Sequence, residues 1–348
     1  MVFAARFQRD LAPIANELSC GRRIMIAVPT VIAADGPILQ RVLDASCRTV
    51  RAGLNRDACR NFHAARMKTS WGARHQRTFA LMDGENILAS AERYDLAGVL
   101  DQRTVRVCAL GSLWAEPSPD LAHATMLIDM LLASAARDGA EMALLFPSAD
   151  IGGDLRSPFH AMPMMNLTLS VAESSRHGAP MTMVRTGEER DLAAIAAMGR
   201  VRADRVPFHL DRDSDFIQYV ITTKRLLAGL GSANARQMHF FIAEEGITAA
   251  AYVIVTVVGN TWTLEECGDR DTSGARVGAL LQALIAREPV ERRPTINAWL
   301  PPGFLPPQVG IASAVRSTEK VSVRMLDSGG MMPQLCGDDI LFWRNDLL

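Results

Sequence analysis

The residues best suited to proton transfer lie near two predicted strand ends. Glu265 and Glu266 close a run that begins at Asn260, and His160 lies in the stretch DLRSPFHAMPMM. Adjacent strand residues face opposite sides of a sheet, so one glutamate faces inward, where it can accept a proton or hold a cationic amine. A histidine titrates near neutral pH and can act as an acid. We therefore predict Glu265, Glu266 and His160 as catalytic residues; a salt bridge at the sheet edge and an ordinary loop histidine are the alternatives.

A second feature is a local excess of positive charge between Gln40 and Ala80. Nine cations stand against two anions there, although the whole chain has a net charge of −1. Such a surface can dock the phosphate of a cofactor, of a carrier protein or of a tRNA acceptor end. A solvated helix face is the alternative. The candidates for docking the donor phosphate or a tRNA are Arg60, Arg66, Lys68, Arg74 and Arg77.

The element that must position this chemistry is a strand–turn–helix–strand unit. Alternating apolar residues predict a strand over Val105–Trp114, which the run Glu116–Pro119 breaks. Leucines at helical spacing predict a helix from Asp120, whose carboxylate can cap it, to Gly139. A buried strand is predicted over Met142–Phe146. A turn that opens onto a helix N-terminus is suited to binding an anion, because free N–H groups and the helix dipole both point there.

This unit resembles the acyl-CoA-binding core of the GNAT superfamily of N-acetyltransferases. GSLWAEP is similar to the end of the family's cofactor strand, and AHATMLIDMLL is similar to its helix entry. The family's Arg-Gly-x-Gly phosphate turn is eroded, since Asp120, Leu121 and Ala122 stand in its place. The stretch WGARHQRTFALMDGENILASAERYD and the ending LFWRNDLL also resemble a bacterial, tandem GNAT subfamily.

The resemblance implies transfer of an acyl group from acyl-CoA or acetyl-CoA to an amine, without a metal. A backbone N–H of the cofactor strand would polarise the thioester, and His160 would replace the family's tyrosine as leaving-group acid. The acceptor would be an amine of a small molecule or peptide. The implied cofactor-binding residues are Leu113, Trp114 and Ala115 on the strand, and Ala122, His123, Ala124 and Thr125 at the helix entry.

The same plan recurs in the second half of the chain. Met25 to Val107 spans 82 residues and Thr182 to Trp262 spans 80. The next intervals, to the predicted strands at 142 and 296, are 35 and 34 residues. This agreement predicts two copies of one supersecondary plan. Together with the resemblance, it implies an α/β (α+β) fold of two tandem GNAT-like domains, each a mixed, mostly antiparallel sheet flanked by helices. We predict a helical extension over residues 1–21, an N-terminal domain over 22–174 and a C-terminal domain over 175–348.

Composition favours a cytoplasmic protein. The chain has 348 residues, of which 49% are hydrophobic and 22% charged, as in soluble globular proteins. We find no apolar run of membrane-spanning length and no secretory signal, so no membrane partner is expected. The six cysteines are widely scattered without metal-ligand spacing, which predicts reduced, buried thiols.

Three hypotheses follow. The leading one is an N-acyltransferase that uses acyl-CoA and a small or peptidic amine. The second keeps the fold but takes a donor bound to an acyl carrier protein or an aminoacyl-tRNA, because the phosphate turn is eroded and residues 40–80 are basic. The third is a catalytically inactive GNAT-like binding module.

Overall fold

The computed structural model describes residues 29–50, 53–146, 159–162, 164–172, 183–232, 235–319, 321–326, 335 and 339–346, without the side chains of 48–50 and 120. The predicted helical extension over residues 1–21 and the predicted domain boundary between residues 174 and 175 lie outside these residues. None of the described helices is both long and apolar enough to cross a lipid bilayer.

The first half begins with one strand, a helical region, three antiparallel strands, a helix and a parallel strand, in this order. Its elements are β1 (Thr30–Ala33), α1 (Gly36–Val50), α2 (Arg56–Met67), α3 (Ser70–His75), β2 (Gln76–Asp83), β3 (Asn86–Leu100), β4 (Arg103–Ala115), α4 (Ala122–Arg137), β5 (Met142–Leu145), β6 (His160–Met162) and β7 (Met165–Val171).

The second half repeats this order and adds strands at its end. Its elements are β8 (Met183–Thr186), α5 (Leu192–Ala203), β9 (Phe208–Leu210), α6 (Ser214–Leu230), β10 (Gln237–Glu245), β11 (Thr248–Val258), β12 (Thr261–Asp269), α7 (Ala275–Ile285), β13 (Thr295–Ala298), β14 (Val309–Arg316), β15 (Val321–Met325) and β16 (Ile340–Leu341).

The described strands form two mixed sheets that exchange strands. The first sheet has the order β1-β2-β3-β4-β5-β15-β6, with β9 paired to β3 and β16 paired to β9. The second has the order β14-β7-β13-β12-β11-β10-β8. Strand β15 thus comes from the second half into the first sheet, and β7 goes the other way. A division of the chain at residue 174 would therefore separate β15 from the rest of the first sheet and β7 from the rest of the second. The domain boundary itself stays a prediction.

Helix α4 covers one face of the first sheet. Its apolar residues recur at helical spacing, so a single stripe faces β3 and β4. Complete burial of each large aliphatic side chain contributes about 1.5–3 kcal/mol. The buried residues of the helix are Ala124, Leu127, Ile128, Leu131, Leu132 and Ala135.

The turn between β3 and β4 is tight, because β3 continues to Leu100 and β4 begins at Arg103. Asp101 and Gln102 make that turn with φ angles of 47° and 65°.

The cysteine prediction was wrong for two of the six residues. Helices α1 and α2 pack together and bring Cys47 and Cys59 into a disulfide, with Cα atoms 6.1 Å apart. Cys108 and Cys267 are free and buried, and burial raises the pKa of the Cys108 thiol to about 12. Cys20 and Cys336 lie outside the described residues.

Candidate active site

Strands β4 and β5 separate in the middle of the first sheet. Their parallel pairing ends at Leu110 and Leu145, where Phe146 N donates to Leu110 O at 2.9 Å. Beyond this point β4 continues to Ala115, paired only with β3 among the described residues. Its bulge contains Ser112, whose φ of 50° is unusual for a residue other than glycine. One edge of β4 from residue 111 to 115 therefore lies beside the opening, with backbone groups available to a ligand.

Helix α4 begins next to this opening. Its first residue, Ala122, follows Leu121, which has a left-handed φ of 52°. Leu121 therefore adopts a backbone conformation that glycine favours, at the place where the resembled family has a glycine-rich turn. No described side chain accepts a hydrogen bond from the first-turn N–H groups of α4. The predicted cap by Asp120 lies outside the described side chains.

Three further polar atoms near this helix start have no partner. They are Ser118 Oγ, His123 Nδ1 and Thr125 Oγ1, each shielded from solvent and without a hydrogen bond among the described residues. Buried polar groups are normally satisfied, because an unmade hydrogen bond costs about 1–3 kcal/mol. Together with the N-terminus of α4, these atoms form a polar seat that no described part of the chain occupies.

The second half has the same strand–turn–helix geometry, but a carboxylate of the chain itself occupies the corresponding polar seat. Gly274, with a φ of 72°, precedes α7 as Leu121 precedes α4. The Asp269 carboxylate accepts from Arg276 N at 2.8 Å and from Val277 N at 3.3 Å. The Asp269 side chain has no exposed surface. An internal carboxylate thus takes the place that an anionic ligand would hold at this helix.

The strand register identifies the corresponding residue of the first half. Strand β12 pairs with β11 so that Asp269 lies opposite Ala251. Strand β4 pairs with β3 so that Ala115 lies opposite Ala89. Ala115 and Asp269 each lie five residues beyond the last residue of their strand that pairs with the neighbouring parallel strand, Leu110 in β4 and Leu264 in β12. The first half therefore has a methyl group where the second half has the carboxylate.

The extra residue at the bulge of the second half also has a partner within the chain. This residue is Glu265, which pairs with Lys224 of α6 at 3.0 Å and is 5% exposed. Burial opposes ionisation, but the Lys224 ammonium lowers the pKa of Glu265 below its usual value. An ionised carboxylate already paired with a lysine is better suited to holding α6 than to exchanging protons.

Glu266 is enclosed in a hydrogen-bonded cluster. Arg212 donates to both carboxylate oxygens, at 2.8 and 2.6 Å, and Tyr252 and Asn345 donate at 2.6 and 2.9 Å. Although burial opposes it, Arg212 lowers the pKa of Glu266. The residue has no exposed surface and faces no described opening. The catalytic roles of Glu265 and Glu266 stay predictions that this geometry does not favour.

Asp346 makes this cluster sensitive to pH. Its Oδ1 lies 3.0 Å from Arg212 Nε, and burial, with Glu266 nearby, raises its pKa from 3.8 to about 6. The folded state therefore binds a proton more tightly than the unfolded chain. The protonated Asp346 carboxyl group therefore stabilises the fold below pH 3.8, and this contribution to the free energy of unfolding is lost as the pH rises through 6.

We expect this loss to disappear in Asp346→Asn, because asparagine does not ionise. Relative to the variant, the wild type should lose up to about 3 kcal/mol of unfolding free energy between pH 4 and 7, since each pKa unit is worth about 1.4 kcal/mol. Urea unfolding of both proteins across this range measures the difference. A difference that stays constant with pH would exclude Asp346 as the titrating group.

A buried cluster in the first half was missed at the sequence level. Glu92 of β3 lies opposite the bulge of β4, and three groups donate to its Oε2: Arg66 Nη1 at 3.0 Å, Tyr94 OH at 2.5 Å and Ser112 Oγ at 2.8 Å. Arg66 also donates to the hydroxyl of Tyr219, on α6 of the second half. The charge pair thus joins the two halves directly beside the strand opening.

All three tyrosines of the chain donate hydrogen bonds within buried polar clusters of this kind. Tyr94 donates to Glu92, Tyr252 donates to Glu266, and Tyr219 donates to Gln76 at 2.9 Å. Each is completely buried, and burial raises the pKa of Tyr94 and Tyr252 well above the usual value. The tyrosine acid typical of the resembled family therefore has no candidate in this chain.

The predicted cofactor-binding residues lie along the opening. Leu113 is buried against α4, whereas Trp114 and Ala115 are half-buried. At the helix entry Ala124 is buried and Ala122 is exposed, while His123 and Thr125 are half-buried and carry the unpartnered atoms. The structure thus brings the predicted strand end and helix entry together at one place; that they bind a cofactor stays a prediction. His160 lies exposed on β6, paired with Val323 of β15.

The predicted basic docking surface is largely neutralised. Arg66 does not lie on it, because its side chain is only 1% exposed and pairs with Glu92. Arg60 makes a bidentate pair with Asp44, Arg74 pairs with Asp215, and Arg77 donates to two backbone carbonyl groups at the end of α3 and the start of β2. Lys68 is exposed. Cations already paired with carboxylates gain less from binding a phosphate, which weakens the argument for a tRNA or carrier-protein donor.

Several solved structures have this fold. A GCN5-related N-acetyltransferase from Anabaena variabilis matches with a TM-score of 0.63 at 10% identity, over 86% of this chain and 73% of that one. A probable N-acyltransferase from Enterococcus faecalis matches with a TM-score of 0.62 at the same identity and coverage. Eis1 from Mycobacterium abscessus matches with a TM-score of 0.54 at 14% identity, over 86% and 74% of the two chains. No protein-family model and no curated protein matches the sequence.

The protein therefore has the fold of the GNAT N-acetyltransferases, as its sequence predicted. It is a tandem α/β protein in which two GNAT-like units, with mixed and mostly antiparallel sheets, follow one another in a single chain.

Proposed function

We propose that the protein is an N-acyltransferase that takes an acyl group from acyl-CoA and transfers it to an amine of a small molecule or peptide. The donor occupies the opening between β4 and β5 and the start of α4. The second half provides no donor site and serves as a scaffold.

One observation supports this assignment above the others. Two strand–turn–helix units share one geometry, and among the described side chains a carboxylate, that of Asp269, fills only the second of them. The copy at α4 has Ala115 at the corresponding position and retains polar side-chain atoms without a described partner. A diphosphate would satisfy these groups as Asp269 satisfies those of α7.

The chemistry requires little from side chains. Backbone groups of β4 beyond Leu110 align the pantetheine arm, and an N–H of this segment polarises the thioester carbonyl. The amine attacks the carbonyl carbon, the C–N bond forms and the C–S bond breaks. The CoA sulfur leaves with the electron pair and takes up a proton, while the nitrogen loses one to solvent. Proximity and orientation provide most of the acceleration.

The direct test is an acyl-transfer assay with acetyl-CoA, longer acyl-CoA donors and a panel of primary amines. Release of CoA thiol that depends on the amine, with the acylated amine detected by mass spectrometry, is expected. CoA-binding protein that acylates no amine with any donor would favour the inactive binding module.

A further inference from the structure

The inference concerns residues 340–346, here called the strap, which lie between the two halves of the chain. Strand β16 of the strap pairs in parallel with β9, and β9 in turn pairs with β3 of the first half. All residues of the strap except Arg344 are buried. A short segment placed in this way holds the second half against the first sheet.

Successive side chains of the strap enter two different hydrophobic cores. Ile340 and Phe342 belong to the core that contains Val107 of the first sheet. Leu341 and Trp343 belong to the core beneath α7. Neighbouring side chains thus face opposite sides, as in a strand. Opening of the strap would therefore remove an aromatic side chain from each core at once.

The end of the strap contacts a charge cluster of the second half. Asp346 Oδ1 lies 3.0 Å from Arg212 Nε, and Asp346 Oδ2 accepts from Trp343 N at 2.9 Å. Asn345 donates to Glu266 at 2.9 Å. Asp346 Oδ1, Arg212 Nε and Asn345 Oδ1 are nevertheless buried without a hydrogen bond to any described residue. A polar cluster that is only partly satisfied stabilises a packed segment less than a complete one does.

A cavity borders the strap on the side of α5. Leu341 and Trp343 line it together with Ala196 and Gly199 of α5. Side chains that face a cavity lack packing contacts on that side, so the strap is held less tightly than a fully packed core segment. The charged and titratable residues along the cavity are Arg200, His209, Asp211 and Arg212.

The charges around Asp346 balance only while its carboxyl group is neutral. Each of three cations near it already has a carboxylate partner, so an ionised Asp346 adds a negative charge that has no cation of its own. A buried charge is unfavourable unless it is paired. The existing pairs are Arg212 with Glu266, Lys224 with Glu265, and Arg344 with Glu319, and the phenol of Tyr252 donates to Glu266.

We propose that the strap responds to pH: it holds the two halves together while Asp346 is neutral and opens as a unit when Asp346 ionises. Ionisation places a second carboxylate on Arg212 beside Glu266, and opening of the strap moves that charge into water. This inference is independent of the proposed acyl transfer, because it uses no residue of the opening beside α4.

Hydrogen exchange of the full chain, followed by mass spectrometry, measures the opening. The pKa of Asp346 is about 6 in the closed strap and should return to its ordinary value of 3.8 in the open one. The ratio of open to closed strap should therefore rise about tenfold between pH 5 and 8. Exchange in the peptide that carries the strap is corrected for the pH dependence of exchange itself and compared with the peptide over β4.

In the wild type, we expect protection of the strap to fall about tenfold relative to the β4 peptide between pH 5 and 8. Asp346→Asn cannot ionise, so its protection should stay within twofold across this range. Glu319→Gln is the matched control, because it removes a carboxylate that pairs with the strap but is 42% exposed. It should keep the pH dependence of the wild type.

Three results would overturn the inference. The first is protection of the wild-type strap that does not change with pH. The second is an equal change in Asp346→Asn, which would assign the titration to another group, such as His209. The third is an equal loss of protection in the β4 peptide, since the whole chain and not the strap would then be opening. The wild-type comparison decides the first and third results even if a variant fails to fold.

Discussion

Ala115→Asp should weaken the binding of CoA by about 100-fold or more. The register places this carboxylate where Asp269 lies in the second half, so it should reach the first-turn N–H groups of α4 and occupy the seat. A bound diphosphate would lose charge-assisted hydrogen bonds, worth about 1.5–3 kcal/mol each, and would meet a like charge. A 100-fold loss corresponds to about 2.7 kcal/mol. Isothermal titration calorimetry with CoA measures the effect.

Ala115→Asn is the matched control, because asparagine has the same shape without the charge. It should lower the affinity by less than tenfold. If the aspartate variant binds CoA like the wild type, the helix start is not the donor seat. If both variants are impaired equally, side-chain volume and not the internal anion explains the effect.

Arg66→Ala should lower the free energy of unfolding by about 3–5 kcal/mol. The substitution leaves the Glu92 carboxylate buried without its cation and removes the hydrogen bonds to Tyr94 and Tyr219. Because Tyr219 belongs to α6, the variant also weakens the contact between the two halves. Urea unfolding followed by circular dichroism measures the change.

Arg74→Ala is the control for this substitution. Its ion pair with Asp215 likewise joins the two halves, but its side chain is 58% exposed, so the loss should stay below about 1 kcal/mol. An Arg66 variant as stable as the Arg74 variant would mean that Glu92 is stable in the core without the arginine.

Local patterns predicted the elements around the site correctly. The alternation that ends at Trp114 and the leucine spacing of the following helix describe β4 and α4, because each pattern reports a face buried by its immediate neighbours. The strand exchange of β7 and β15 was not predictable in this way. Pairing between β5 and β15 joins residues 177 to 183 positions apart, and nothing in either short strand specifies its partner.

The polar clusters were missed for a related reason. Arg66 was assigned to a solvent-facing basic surface, although it lies on the same helix as Phe62 and points inward to a glutamate on a strand. A glutamate within the apolar alternation of β3 was the available signal, since a charge there requires a buried partner. Asp269 carried a similar signal, as an acidic residue at the end of a strand that precedes a helix start.

The most direct test of the account is the stoichiometry of CoA binding to the full chain. The structure has two copies of the donor-site geometry, of which Asp269 fills one. We therefore expect calorimetry to give one molecule of CoA per chain. Two molecules per chain would show that the second copy still binds a donor, and no binding would contradict the assignment of the opening beside α4 as a donor site.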